Sequence, residues 1–136
     1  MYMKYKYLEH TADIKFQAFG KSLEEAFSNS AYAMINIICE REVKSRIKKK
    51  IKISGIDSNA ILYKFLEEII FLLNTENFLL SKVSGITIKG NELKAELSGD
   101  DLNNYELELD VKAVTYNEMF IKKEKGEFTI QVVLDI

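Results

Sequence analysis

An α+β sandwich, with two helices packed on one face of a mainly antiparallel β-sheet, is the fold class this sequence predicts. Two apolar segments recur at helical period, each opened by a residue that caps helices, and alternating runs flank them. After Asn74 the chain turns into a succession of short alternating segments separated by polar turns, without a linker rich in proline, glycine or serine. Runs of strands around a pair of helices imply one layered domain spanning 1–136, and 136 residues suffice to bury a core without disulfides.

The first elements are short strands over 4–8 and 12–19. In the second, Ala12, Ile14, Phe16 and Ala18 alternate with Asp13, Lys15 and Gln17, so one face is apolar and the other polar. Gly20 punctuates the chain before Ser22-Leu23-Glu24-Glu25, a capping box in which Ser22 accepts from a backbone N–H and Glu25 reaches back. Leu23, Ala26, Phe27, Ser30, Met34 and Ile37 or Ile38 then recur at helical spacing. A strand is expected over 43–53, its apolar Ile47, Ile51 and Ile53 opposed to Lys44, Arg46, Lys48, Lys50 and Lys52.

Asp57-Ser58-Asn59 offers N-caps for a second helix over 60–73, apolar over a broad arc and therefore deeply buried. Strands over 83–89 and 92–98 flank Gly90-Asn91, a two-residue hairpin connection. Tyr105, Leu107, Leu109, Val111 and Ala113 alternate with Glu106, Glu108, Asp110 and Lys112, which predicts a half-buried strand over 105–113. A final pair over 118–122 and 128–134 turns at Lys123-Glu124-Lys125-Gly126.

Composition narrows the function classes. With 47% apolar and 29% charged residues the chain is an ordinary folded protein, and its net charge of −2 argues against nucleic-acid binding by bulk electrostatics. No run has the length of a membrane span and the amino terminus lacks a signal-like apolar core, so a cytoplasmic protein is expected. The single cysteine, Cys39, lies in apolar company and reads as a buried structural thiol. One histidine and one cysteine cannot build the usual zinc shell, no serine or cysteine triad is formed, and the scattered glycines make no phosphate loop.

Carboxylates remain. The apolar run Val132-Val133-Leu134 ends in Asp135-Ile136, which sets the Asp135 side chain beside the α-carboxylate of Ile136. Crowding like charges onto an otherwise buried strand is unfavourable unless a cation sits opposite. Asp13 is a third acid in similar surroundings, and three such oxygens would suit a hard divalent cation if the two strands meet. His10 either donates a hydrogen bond across that site or satisfies its own turn, and Lys112 either pairs with neighbouring acids or places an ammonium near the carboxylates. The stripe from Lys44 to Lys52 steps about 6.6 Å per cation, comparable to backbone phosphates, although a solvated sheet edge guarded by lysines has the same pattern.

On these residues the sequence resembles the archease family. The match is carried by Tyr7-Leu8-Glu9-His10-Thr11-Ala12-Asp13-Ile14, Phe19-Gly20-Lys21-Ser22-Leu23-Glu24-Glu25-Ala26-Phe27, Asp110-Val111-Lys112-Ala113-Val114-Thr115-Tyr116 and Val133-Leu134-Asp135-Ile136. The resemblance implies an accessory protein, not itself an enzyme, of the RtcB-type tRNA-splicing ligase, which joins tRNA halves through a guanylylated histidine. It would promote that guanylylation, allow multiple turnovers and broaden the nucleotides accepted. It further implies a metal site at Asp13, Asp135 and Ile136, with calcium the usual ion and magnesium or manganese as alternatives, and a functional lysine at Lys112. RNA contact would be indirect or weak. Two other classes stay open: a chaperone-like module for an RNA-modifying enzyme such as a tRNA methyltransferase, and a weak metal-dependent phosphohydrolase.

Overall fold

The computed structural model of the chain describes residues 3–8 and 12–136. Its elements are β1 (Tyr5–Leu8), β2 (Ile14–Gly20), α1 (Leu23–Ile38), β3 (Ile47–Ser54), α2 (Ser58–Glu76), β4 (Phe78–Lys89), β5 (Glu92–Asp101), a 3-10 turn (Leu102–Asn104), β6 (Ala113–Glu124) and β7 (Glu127–Asp135). The mixed α+β class with two helices on antiparallel sheets is as expected, but the strands divide into two sheets. One has the order β1-β2-β7-β6 and the other β3-β5-β4, with every neighbouring pair antiparallel.

The helix pair joins the two sheets. α1 packs on β1, β2 and β7 of the larger sheet and on β4 of the smaller, while α2 packs on β6 and on β3 and β4. Phe16, Ala18, Ile130, Val132 and Leu134 point inward from the first sheet to meet Phe27, Met34 and Phe65 of the helices. Full burial of one such side chain contributes roughly 1.5–3 kcal/mol, so the position of each sheet is fixed mainly by its inward face. Gly20 is required where β2 turns into α1, because a Cβ there would collide with the backbone of Ala26 and the carbonyl of Ser22.

Local sequence signals set the helix ends. Ser22 Oγ accepts from Glu25 N–H at 3.1 Å, and the Glu25 carboxylate reaches back to Lys21 N–H at 2.7 Å. Asp57 caps α2 by accepting from Ala60 N–H at 2.8 Å, and Asn77 ends it in the left-handed conformation, φ 53°. Cys39 is buried at the end of α1, in keeping with a structural thiol.

Two expectations need correction. The alternation over 105–113 does not form a strand: the segment leaves the 3-10 turn as irregular chain and joins the sheet only at Ala113. Leu107 and Leu109 remain 39% and 42% exposed, and β7, the strand this segment reaches, is already flanked by β2 and β6. The segment is tied instead by Glu108 N–H to the Ile38 carbonyl and Lys112 N–H to the Asp135 carbonyl, both 2.8 Å. The basic strand likewise starts at Ile47 and not at 43, since Lys44 and Arg46 belong to an approach segment. There the Tyr105 hydroxyl accepts from Lys44 N–H at 2.9 Å, and Arg46 lies 3.5 Å from Asp100.

Candidate functional site

β7 is an inner strand of the larger sheet, and its last residues are flanked on both sides. Ile14 of β2 pairs with Leu134, and Ala113 of β6 pairs with Asp135. Antiparallel register carried one step past Ile14 and Leu134 sets Asp13 opposite Asp135. Asp13 and Asp135, near the two ends of the chain, therefore lie at one sheet end. Lys112 precedes β6 beside them, exposed, with its N–H on the Asp135 carbonyl at 2.8 Å.

Strand parity sorts the surrounding side chains. Phe16 and Val132, then Ala18 and Ile130, face the helices, so Lys15, Gln17, Gln131, Val133 and Asp135 face the other way. On that outer face Lys15 pairs with Glu118 at 3.3 Å, and Gln17 donates to Gln131 at 2.9 Å. Gln131 in turn donates to the Glu118 carbonyl at 2.9 Å, across an irregular stretch of β6 in which Glu118 has φ 55°. Val133 is fully buried beneath this polar layer, while Asp135 is exposed just beyond it and Ile136 packs against the core. The outer face thus runs from amides through an ion pair to the Asp135 carboxylate.

A cavity of about 400 Å³ opens beside Asp13, walled by Tyr7, Leu8, Ile14 and Leu109 and edged by Glu40 and Glu108. The Tyr7 hydroxyl donates to the Ala33 carbonyl at 2.8 Å, and burial pushes its pKa up to about 12, so it stays a neutral wall. Glu40 N–H donates to Glu108 at 3.1 Å, which places a further carboxylate near the tip. Among the described residues no group of three histidine, cysteine, aspartate or glutamate side chains comes together in a metal-binding arrangement. The carboxylate oxygens of Asp13 and Asp135 are hard donors, the kind that calcium, magnesium and manganese prefer. His10 lies outside the described residues.

Comparison with known proteins decides the family. The Archease protein family (MTH1598/TM1083) matches residues 5–136. The chain belongs to the archease family. Protein archease of Methanosarcina mazei is 36% identical over 140 residues, covering 98% of this chain and 96% of that one. Protein archease of Pyrobaculum calidifontis is 37% identical over 139 residues, covering 97% and 95%. The solution structure of Methanobacterium thermoautotrophicum protein 1598 superposes with TM-score 0.84 at 32% identity, covering 98% of this chain and 99% of that one. An archease from Thermotoga maritima, described as a possible chaperone, has TM-score 0.69 at 21% identity over 100% and 99% of the two chains, and supports the fold alone.

Within the archease frame, the layer of Lys15, Glu118, Gln17 and Gln131 supporting the tip was not singled out from sequence. The same parity that exposes Asp135 also selects Gln131, with Lys15 and Gln17 on β2, so this part of the layer was legible once β2 and β7 were paired. Glu118 was not, because its place depends on the irregularity in β6. No described helix is long and apolar enough to cross a membrane.

Proposed function

We propose that this archease-family chain is an accessory protein of the cytoplasmic RtcB-type tRNA-splicing ligase, promoting its guanylylation and multiple turnover and broadening its use of nucleotides. The observation that supports this reading is the β2–β7 register, which brings Asp13 and Asp135 to one sheet end, with the Lys112 N–H bonded to the Asp135 carbonyl. Asp13 and Asp135 are the residues that would hold a divalent ion, calcium first and magnesium or manganese in its place, and the Ile136 carboxylate joins them in a chain that ends there. When bound, such an ion supplies positive charge to phosphate oxygens.

The chain's own groups have separate tasks. Asp13 and Asp135 orient the tip, and Lys112 sets an ammonium where charge develops on a transferred phosphoryl group. Lys15 and Glu118, with Gln17 and Gln131, stiffen the sheet below so that the carboxylates are presented in one geometry. Phosphoryl transfer itself belongs to the ligase, so the chain is not assigned an active site of its own. RNA contact at the tip is indirect.

The description of the Thermotoga relative as a possible chaperone favours one second reading, a module that keeps an RNA-modifying enzyme such as a tRNA methyltransferase soluble. Multiple-turnover joining of tRNA halves by the matching ligase with GTP separates the two. Stimulation by the native chain and not by Asp135→Asn supports the ligase reading. Absence of stimulation, with the chain instead raising the soluble yield of the methyltransferase, supports the other.

A further inference from the structure

The outer face of the smaller sheet carries an excess of positive charge that the acidic tip does not use. Register sets Lys48, Lys50 and Lys52 of β3, Lys94 of β5 and Lys82 and Lys89 of β4 on one side of β3-β5-β4, against Glu92 and Glu96. All six lysines are exposed. The opposite side, with Leu93, Leu97 and Ile53, faces the core. In a chain with net charge −2, this face is cationic by four.

The ion pairs on it are weak. Glu92 is shared between Lys52 at 3.4 Å and Lys94 at 3.7 Å, and Glu96 lies 3.9 Å from Lys48. Exposed pairs of this kind add little, so the ammonium groups can turn to another anion. Among the described residues, Lys50, Lys82 and Lys89 have no carboxylate within salt-bridge distance. Lys52 and Lys94 sit directly across from each other, an unfavourable like-charge pair.

Protection of free sheet edges accounts for lysines on β3 and β4 but not for Lys94. β5 is the middle strand, so Lys94 guards no edge. Edge protection at β3 is also provided by Lys49, which points inward to pair with Glu76 over the Phe78 ring. Recognition of a protein would call for apolar or aromatic anchors at the centre of the patch, and the outward positions Ser54, Ser84, Thr87 and Ser98 supply none. Without an aromatic side chain, the face also lacks a platform for stacking single-stranded bases. Cations about 6.6 Å apart along a strand, on strands about 4.8 Å apart, match a line of backbone phosphates instead.

We propose that the outer face of β3-β5-β4 binds the phosphate backbone of double-stranded nucleic acid without reading its sequence. This surface is separate from the acidic tip and does not depend on the ligase reading. A net excess of four charges gives a slope of log K against log salt of about −3.6 and an affinity in the ~10⁻⁴–10⁻⁶ M range.

Fluorescence anisotropy with labelled 20-base-pair duplexes of RNA and of DNA, at 50 and 200 mM KCl, tests it on the full chain. Duplex binding is expected at 50 mM and should weaken on the order of 100-fold by 200 mM. The Lys48→Glu/Lys50→Glu/Lys52→Glu variant, checked for an unchanged melting temperature, should lose at least tenfold; Lys50→Gln/Lys94→Gln, which perturbs the sheet less, should lose several-fold. Equal binding of the RNA and DNA duplexes supports backbone contact in general, and preference for RNA assigns it to the A-form backbone. No duplex binding at 50 mM, unchanged binding in both variants, or equally tight binding of polyglutamate, which would mark an acidic protein surface as the partner, overturns the proposal.

Discussion

Ile14 pairs with Leu134 as the last pair of the β2–β7 register, so their chain neighbours Asp13 and Asp135, 122 positions apart, lie at one sheet end. On the proposed reading these two carboxylates hold a divalent ion, so binding the ion and completing the sheet end favour each other.

Calcium should accordingly stabilise the native chain. At a free concentration about 100 times the dissociation constant, the gain is about 2.7 kcal/mol, read as a rise of several degrees in melting temperature. Asp13→Asn and Asp135→Asn should each remove most of that rise. A calcium-dependent shift of native size in both variants would place the ion elsewhere.

Lys112 should act on the partner and not on the fold, since its side chain is exposed and its structural bond is made by the backbone N–H. Lys112→Ala is expected to melt within about 0.5 kcal/mol of the native chain, as exposed substitutions commonly do, while losing most ligase stimulation. Thermal melting and the joining assay on one preparation check both halves.

Asp100 should make stability acid-sensitive. The Tyr105 hydroxyl at 2.8 Å, the Asp101 N–H at 2.9 Å and Arg46 hold its carboxyl below the ordinary aspartate value, against the opposing effect of burial. A depressed native value means the stabilisation is present above the unfolded-state value and is lost as pH falls through the native one. Asp100→Asn should therefore lose stability at pH 7 and differ less from the native chain near pH 2, as followed by urea melts across that range.

Phe65 is fully buried on α2 with its ring 5.9 Å from that of Phe27, where the two helices meet above the larger sheet. Phe65→Ala should cost about 3–5 kcal/mol through lost burial and the cavity left behind. A loss under about 1 kcal/mol in denaturant unfolding would contradict this packing.

Both helices were legible because their signals are local: Ser22 and Glu25, then Asp57, mark starts that need no tertiary context. The alternation in β2 was legible for the same reason, and it placed Phe16 and Ala18 in the core. The segment with Leu107 and Leu109 misled because alternation reports a strand's faces and not whether a neighbour is available. The division into two sheets was hidden too, since it depends on which strands pair across the helices. Asp13 and Asp135 could be nominated from their apolar surroundings, but that they lie at one sheet end needed the β2–β7 register.

The most direct measurement is the rate at which the matching ligase becomes guanylylated by labelled GTP, with calcium present, after addition of the native chain, Asp135→Asn or nothing. Acceleration by the native chain, with the Asp135→Asn rate equal to that of the ligase alone, is the predicted result. Equal acceleration by the native and variant chains would contradict a role for the acidic tip, and no acceleration by either would contradict activation of the ligase.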